Sequence, residues 1–425
     1  MRKSLVAMAV LVSGTVLSTP AISQTELTLW SHWADHDTKV AFVEEAVRRF
    51  EEKHPDASVK ITWYQKNPLY AALKGALQAG QGPDIFYAEP SQVEYVDNQL
   101  LLPLDDKLNW DNIEDFAREA WTIDGKAYAL PLEAATVELY YSKEKLQQLG
   151  IELPENGQMD TAAFAEMVKA AKEAGITPIV AGVGDRGFPG AYLAHELILK
   201  KIGAEDYEKL LDGELSWQDE RIVDVLEYVQ SLVESGAYPT SFATLKLGES
   251  HGYFHTNPGG LTFPMGSWYT SRAFLPPDQG GQPADFQLGI MRVPVPEDAA
   301  CAQCKTLAIG GSYVVNANTE HPDLAVALLN EMATVEMGNL WLSATQVGTG
   351  IKTDPSKITS EYQAYFEDLA EVNEGAEYFI GIPQDHLTGA CSETFQQVIN
   401  AGFPAGHVDA QQAAQMMDSA CLKKN

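Results

Sequence analysis

The 425-residue chain carries 59 acidic against 29 basic side chains, a net charge of −30, with 45% apolar residues. So acidic a surface repels phosphate backbones, which argues against nucleic acid as a partner. The apolar fraction suits a globular protein dissolved in water, and the length exceeds one ordinary core, so two domains are expected.

Arg2 and Lys3 precede the apolar run Leu5 to Leu17, and Ala21-Ile22-Ser23 stands before Gln24. A charged start, an apolar run too short to span a bilayer and small residues at its exit predict a secretory signal peptide over residues 1–23. The mature chain then begins near Gln24. No cysteine near that point offers a lipid attachment site, and no other apolar stretch is long enough to cross a membrane. The expected location is a bacterial periplasm.

Leu27 to Trp30 reads as a strand, and Val40, Val43, Val47 and Phe50 as one face of a helix that ends near Pro55. Val59, Ile61 and Trp63 alternate as a strand does. Leu69, Leu73, Ala76 and Leu77 mark a second helix, and Pro83 to Tyr87 a third strand. This β-α-β-α-β order predicts a parallel sheet covered by helices. Asp160 is placed as the N-cap of a helix with Phe164, Met167, Val168 and Ala171 inward, ending at Gly175. Strands are expected over Ile176 to Ala181, Leu261 to Phe263, Phe286 to Val295 and Ser312 to Val315. Helices are expected on the Ile222, Leu226, Val229 and Val233 stripe, from Pro322 to about Leu342, and over most of the tail from Ser392.

Gly182, Gly184 and Gly187 spell G-x-G-x-x-G after a strand, the pattern of a dinucleotide-binding turn. The pattern also needs an acidic residue after a second strand about 20 residues on. Here a helix runs through Leu199 and no strand follows soon, and an exported protein meets no nicotinamide pool. No cofactor is expected. The glycines are taken to let the backbone turn sharply and approach a ligand.

Ligands of open α/β sheets bind beyond the carboxyl ends of strands. The loops there share one chemistry. They hold His32, Trp33, Asp35, His36 and Asp37; Glu89 and Ser91; Asp185, Arg186 and Phe188; Trp268, Tyr269 and Arg272; Gly311 and Ser312; and Gln384, Asp385 and His386. Rings, carboxylates, amides and guanidinium groups together suit a sugar, whose C–H face packs on an aromatic ring and whose hydroxyls match paired polar atoms. Trp30 and Trp63 are assigned to the core, Trp33 and Trp268 to the site. Asp37 is read as the cap of the following helix. If Arg186, Arg272, Lys352 and His32 face the cleft together, a sugar acid, sulfosugar or phosphodiester is the better ligand.

The four cysteines, Cys301, Cys304, Cys391 and Cys421, allow three pairings. Export favours disulfides. Cys301–Cys304 with Cys391–Cys421 is the preferred set, because a three-residue offset closes within one loop. The longer bridge would stabilise by roughly 3–4 kcal/mol. Zinc is the lesser reading, since the CxxC lacks a second close pair.

Several stretches carry a resemblance that spans nearly the whole mature chain: LTLWSHW, FVEEAVRRFEEKHPDASVKI, GQGPDIFYAEPSQV, GKAYALPLEAATVELYYSKEKLQQLGIELP, GLTFPMGSWYTSRAF and HPDLAVALLNEMAT. Their order and spacing resemble the extracellular solute-binding proteins of ABC importers, in the carbohydrate-uptake group that includes maltose-binding protein. The resemblance implies an α/β fold of two lobes, with crossing hinge strands and the ligand in the cleft between. It puts lobe I at 24–132 plus 293–334 and lobe II at 133–292 plus 335–425. Hinges are expected near Leu132–Ala134, Ile290–Pro294 and Ala333–Met337. Glu133 matches a ligand-binding carboxylate of the group, Trp268 its sugar-stacking ring, and the Glu89 segment a ligand-contacting loop. Pro383 to His386 falls where relatives make contacts, but without the aromatic residue that maltose-binding protein has nearby, which argues against a maltose-like ligand. The implied partners are a carbohydrate and the membrane permease subunits of the importer, with the protein acting as a monomer and no catalysis. Two rival readings are an exported glycoside hydrolase using Glu89 and Glu133, and a metal-binding protein using His32 and His36.

Overall fold

Alternation places Leu27 and Leu29 inward from the strand Thr25–Ser31, and the helix Asp37–Lys53 lays Phe42, Val43, Ala46, Val47 and Phe50 over them. The computed structural model describes residues 24–423 apart from 35, 186–189 and 359–361, so the expected signal peptide and Asp35, Arg186, Gly187 and Phe188 lie outside the described residues. Thr25–Ser31 pairs in parallel with Ala57–Trp63 on one side and Ile85–Ala88 on the other. The sheet then departs from the all-parallel expectation. Ser312–Val315 adds antiparallel to Ile85–Ala88, and Ala129–Pro131 antiparallel to Ser312–Val315. The helices Pro322–Met332 and Val335–Thr345 pack on the helix Asp37–Lys53 and complete this first core.

A second sheet is built on the nine-residue strand Ala134–Ser142. One edge pairs with Cys304–Ile309 at its start and with Leu288–Met291 at its end; the other pairs with Gly260–Gly266. Thr177–Ile179 and Glu377–Ile380 close the two outer edges. The helix Thr161–Glu173 begins as expected, with Asp160 accepting from the Ala163 N–H at 2.7 Å, and buries Phe164, Met167, Val168 and Ala171 against this sheet.

The chain therefore forms two lobes, each a sheet with its own helices. It crosses between the sheets at Leu132–Glu133 and returns at Gly310–Gly311. The segment Gly348 to Gly350 lies beside them without crossing, since Trp341 before it and Ile351 after it both pack in the first core. Leu132 and Glu133 donate to the Gly311 carbonyl, Gly310 to Glu133, and Ala134 to Gly348. Of the expected hinges, Leu132–Ala134 falls at a crossing. Ile290–Pro294 does not: Met291 and Val293 belong to the second core. Ala333–Met337 does not either: both ends belong to the first core. The same clusters move two expected lobe boundaries. Cys304 packs in the second core, and Trp341 and Ile351 in the first. The changeovers at 293 and 335 thus lie later, at Gly310–Gly311 and beyond Ile351.

Both disulfides join the preferred partners, Cys301 to Cys304 and Cys391 to Cys421. The second ties the helix Gly389–Phe395 to the end of the helix Ala410–Cys421 across 30 residues. Replacing both Cys391 and Cys421 by Ser is expected to cost about 3 kcal/mol, read as a lower denaturant midpoint without loss of ligand binding. Gly182 and Gly184 approach backbone rather than a ligand. A Cβ on either would stand 2.3 Å from the carbonyl oxygen of Leu245 or Thr244.

Candidate functional site

Between the lobes lies a cleft of roughly 1110 Å³. One wall comes from the first lobe: the turn after Thr25–Ser31, the helix Asp37–Lys53, residues 65–68 and the loop after Ile85–Ala88. The hinge strands form its floor. The other wall comes from 247–251, 268–272 and 382–392 of the second lobe.

On the first wall, two carboxylates are each held by an ammonium. Lys66 Nζ lies 2.5 Å from Glu89 Oε1, which also accepts the Tyr87 hydroxyl at 2.8 Å. Burial alone would raise the Glu89 carboxyl, but Lys66 outweighs it and holds the group down at about 2. Lys39 Nζ lies 2.8 Å from Glu133 Oε2 at the hinge, both side chains about nine-tenths buried or more. Lys39 also stands 5.4 Å over the Trp33 ring and 5.7 Å over that of Trp341. His32 packs edge-on to Tyr87, with centroids 4.2 Å apart. Its desolvation and the nearby Lys66 ammonium keep it neutral, with a pKa of about 3.

The opposite wall presents an indole. Trp268 is half-buried, with its ring against Gly266, where a Cβ would stand 2.2 Å from Cη2. Glycine at 266 is thus what admits the ring. Tyr192 meets the ring at a 69° angle, with centroids 6.1 Å apart. Arg272 follows one helical turn on, and among the described residues it has no ion pair. Beside it His251 is 5% exposed, with Nε2 buried and unpartnered, and burial holds it neutral at about 3. Asp385 enters from the helix Pro383–His386, and Gln384 Oε1 is buried without a hydrogen-bond partner.

Of the residues expected from sequence, the cleft collects His32, Glu89, Ser91, Glu133, Trp268, Arg272, Gly311, Gln384 and Asp385. Gly311 contributes backbone: a Cβ there would stand 2.5 Å from Trp33 Cζ2. Others fall elsewhere. Trp33 is fully buried among Tyr87, Tyr313 and Trp341 and is a core residue. Tyr269 is fully buried with its hydroxyl on His255 Nε2. Ser312 is buried and accepts from Trp121 Nε1 at 2.9 Å. His386 is exposed and turns a ring nitrogen to the Ile380 carbonyl. Asp185 is exposed and accepts from the Leu247 N–H at the head of the helix Leu247–His255. Arg186 and Phe188 lie outside the described residues. Lys352 donates to the Asp111 carbonyl, away from the cleft, and Asp37 opens its helix without a side-chain cap. Lys39, Lys66, Tyr87, Tyr192 and His251 were not expected. Lys39 carried a signal: it sits four residues before Val43, on the apolar face of its helix.

A family profile described as bacterial extracellular solute-binding protein matches residues 45–415. The lactose-binding protein of Rhizobium radiobacter is 24% identical over 93% of this chain and 92% of its own. The arabinooligosaccharide-binding protein of Halalkalibacterium halodurans is 26% identical over 75% of this chain and 69% of its own. Among solved structures, a chitin oligosaccharide binding protein superposes with a TM-score of 0.80 at 22% identity, covering 93% of this chain and 98% of that one. These relatives are named as binding proteins, not enzymes.

Proposed function

The chain belongs to the bacterial extracellular solute-binding protein family, and from that premise we propose that it captures a saccharide between its lobes in the periplasm and delivers it to the permease of an ABC importer. The observation that carries this reading is the pairing of walls. Two carboxylate–ammonium pairs offer alternating acceptors and donors to vicinal hydroxyls, and a half-buried indole faces them. Glu89 and Glu133 are each matched by a lysine, so these two pairs offer polarity without adding net charge of their own. A few such hydrogen bonds, each worth about 1.5–3 kcal/mol, and one stacked ring give micromolar affinity. Contacts made only when the lobes meet supply the free energy of closure, with hinge motion at Leu132–Glu133, Gly310–Gly311 and the changeover beyond Ile351.

The rival readings fit the geometry less well. Glycoside hydrolysis needs one carboxylic acid kept protonated, and Glu89 and Glu133 are each bound to an ammonium. A cation at His32 would meet the charges of Lys66 and Lys39.

Thermal unfolding of ligand-stripped mature protein against lactose, arabinooligosaccharides, chitin oligosaccharides, sugar acids and sulfosugars tests the proposal. A ligand at 100 times its dissociation constant adds about 2.7 kcal/mol. A neutral saccharide is expected to raise the melting temperature. A response to anions alone, to zinc alone, or turnover of chromogenic glycosides would overturn the assignment.

A further inference from the structure

The turn that carries Trp268 is held at two points outside the cleft. The Ser267 hydroxyl accepts the Thr136 N–H at 3.2 Å, on the strand that leaves the crossing. Thr270, fully buried, reaches the other lobe: its hydroxyl stands 2.7 Å from the Gln346 carbonyl. Gln346 ends the helix Val335–Thr345 in the left-handed region, at φ 53°, a conformation costly for a residue with a side chain that swings its carbonyl off the line of the helix. The Trp341 indole fixes the next two carbonyls, donating to Val347 at 3.1 Å and to Gly348 at 3.2 Å, and Trp341 belongs to the first core. The Gln346 carbonyl is therefore a rigid point of the first lobe. Gly348, two residues on, accepts the Ala134 N–H at the crossing. Points this close to a hinge move least when the lobes rotate, so a single hydrogen bond can span them there.

We propose that Thr270 is the positioning residue of the stacking ring: its hydroxyl ties the Trp268 turn to the first lobe and so sets where the indole stands against the carboxylate wall. This rests on the saccharide reading above. The ring and the two carboxylate–ammonium pairs come from different lobes, so their separation is fixed only by what joins the lobes. Only Tyr269 stands between Trp268 and Thr270, in one continuous helical turn, so a shift at the hydroxyl is passed to the ring. A ring already in place when the ligand arrives does not have to be ordered by it. The hydroxyl has one proton and a local alternative, the Ser267 carbonyl at 2.8 Å. That carbonyl also accepts the Thr270 N–H, so it keeps a partner without the hydroxyl. The Gln346 carbonyl has no other hydrogen bond among the described residues. Removing the hydroxyl thus breaks the contact between the lobes and leaves the turn's own bonds in place.

Calorimetric titration of the mature protein with the strongest saccharide from the panel compares Thr270→Val, which exchanges the hydroxyl for a methyl of like size, with Thr270→Ser, which keeps it. The expected result is a loss of about tenfold in affinity for Thr270→Val and a change within about twofold for Thr270→Ser. Thr270→Ala repeats the comparison with no methyl against the carbonyl and is expected to lose affinity as Thr270→Val does. A double-mutant cycle with Trp268→Ala separates positioning from general loosening of the fold. Because the hydroxyl acts through the ring, Thr270→Val is expected to weaken binding no further once the indole is gone. Wild-type affinity in Thr270→Val and Thr270→Ala, an equal loss in Thr270→Ser, or the same tenfold loss in the Trp268→Ala background would overturn the proposal. Absence of binding by any saccharide to the wild type would instead overturn the reading on which it rests.

Discussion

Trp268→Ala weakens saccharide binding about a hundredfold, roughly 2.7 kcal/mol, and leaves the melting temperature within a few degrees of wild type. The two effects separate because the indole is half-buried. Its ring rests on Gly266 and its edge meets Tyr192, while the rest lines the cleft. Truncation removes the stacking surface for the sugar's C–H face and empties space that opens to water, so little cavity cost accrues to the fold. Calorimetry and a thermal melt on the same sample decide it. Equal affinities for the variant and wild type would remove Trp268 from the site.

Glu133→Gln is expected to act on both binding and stability. Glu133 sits where the chain crosses between lobes, and its carboxylate is the counter-charge of Lys39, which is 4% exposed and wedged over two indoles. Without that carboxylate a buried ammonium stays unpaired, a loss of about 3 kcal/mol. Saccharide binding falls with it, because the acceptor and the geometry of its neighbours go together. The double variant Lys39→Met with Glu133→Gln separates the effects. Removing the orphaned charge should recover most of the stability but not the affinity. Recovery of affinity as well would assign Glu133 to the fold alone, and an undiminished denaturant midpoint in Glu133→Gln would contradict the buried pair.

The legible parts of the sequence were those with surface-facing periodicity. The helix Thr161–Glu173 could be drawn residue by residue, because one face is apolar, Asp160 caps it and Gly175 takes a positive φ of 75° at its end. The strands Ala134–Ser142 and Cys304–Ile309 could not. Both are buried along their length, so no alternation marks them. Each also carries a charge, and Glu138 and Lys305 satisfy one another at 2.7 Å inside the lobe. That pairing is invisible until the strands are laid side by side. Missing these strands displaced the expected hinge from Gly310–Gly311 to Ile290–Pro294.

Legibility of the cleft follows the same rule. Glu89 and Trp268 stand in loops after strands and Glu133 between two strands, where a polar or aromatic residue is conspicuous. Trp33 is equally conspicuous, but Gly311 lets the hinge strand press on its ring and seal it into the core. Lys66 reads as an ordinary surface lysine until Glu89, 23 residues away, is brought to it. Tyr192 reaches the cleft from a helix buried along nearly all its length, so its sequence surroundings speak only of core, and His251 sits beside the buried Ser250 in a short helix with no apolar stripe to mark it.

The account stands or falls on saccharide capture between the lobes. Isothermal titration of ligand-stripped mature protein with the saccharide panel measures it directly. One saccharide binding one-to-one with micromolar affinity, lost in Trp268→Ala, is the predicted result. No heat from any saccharide, or a stoichiometric saccharide whose affinity ignores Trp268 and Glu133 alike, would contradict it.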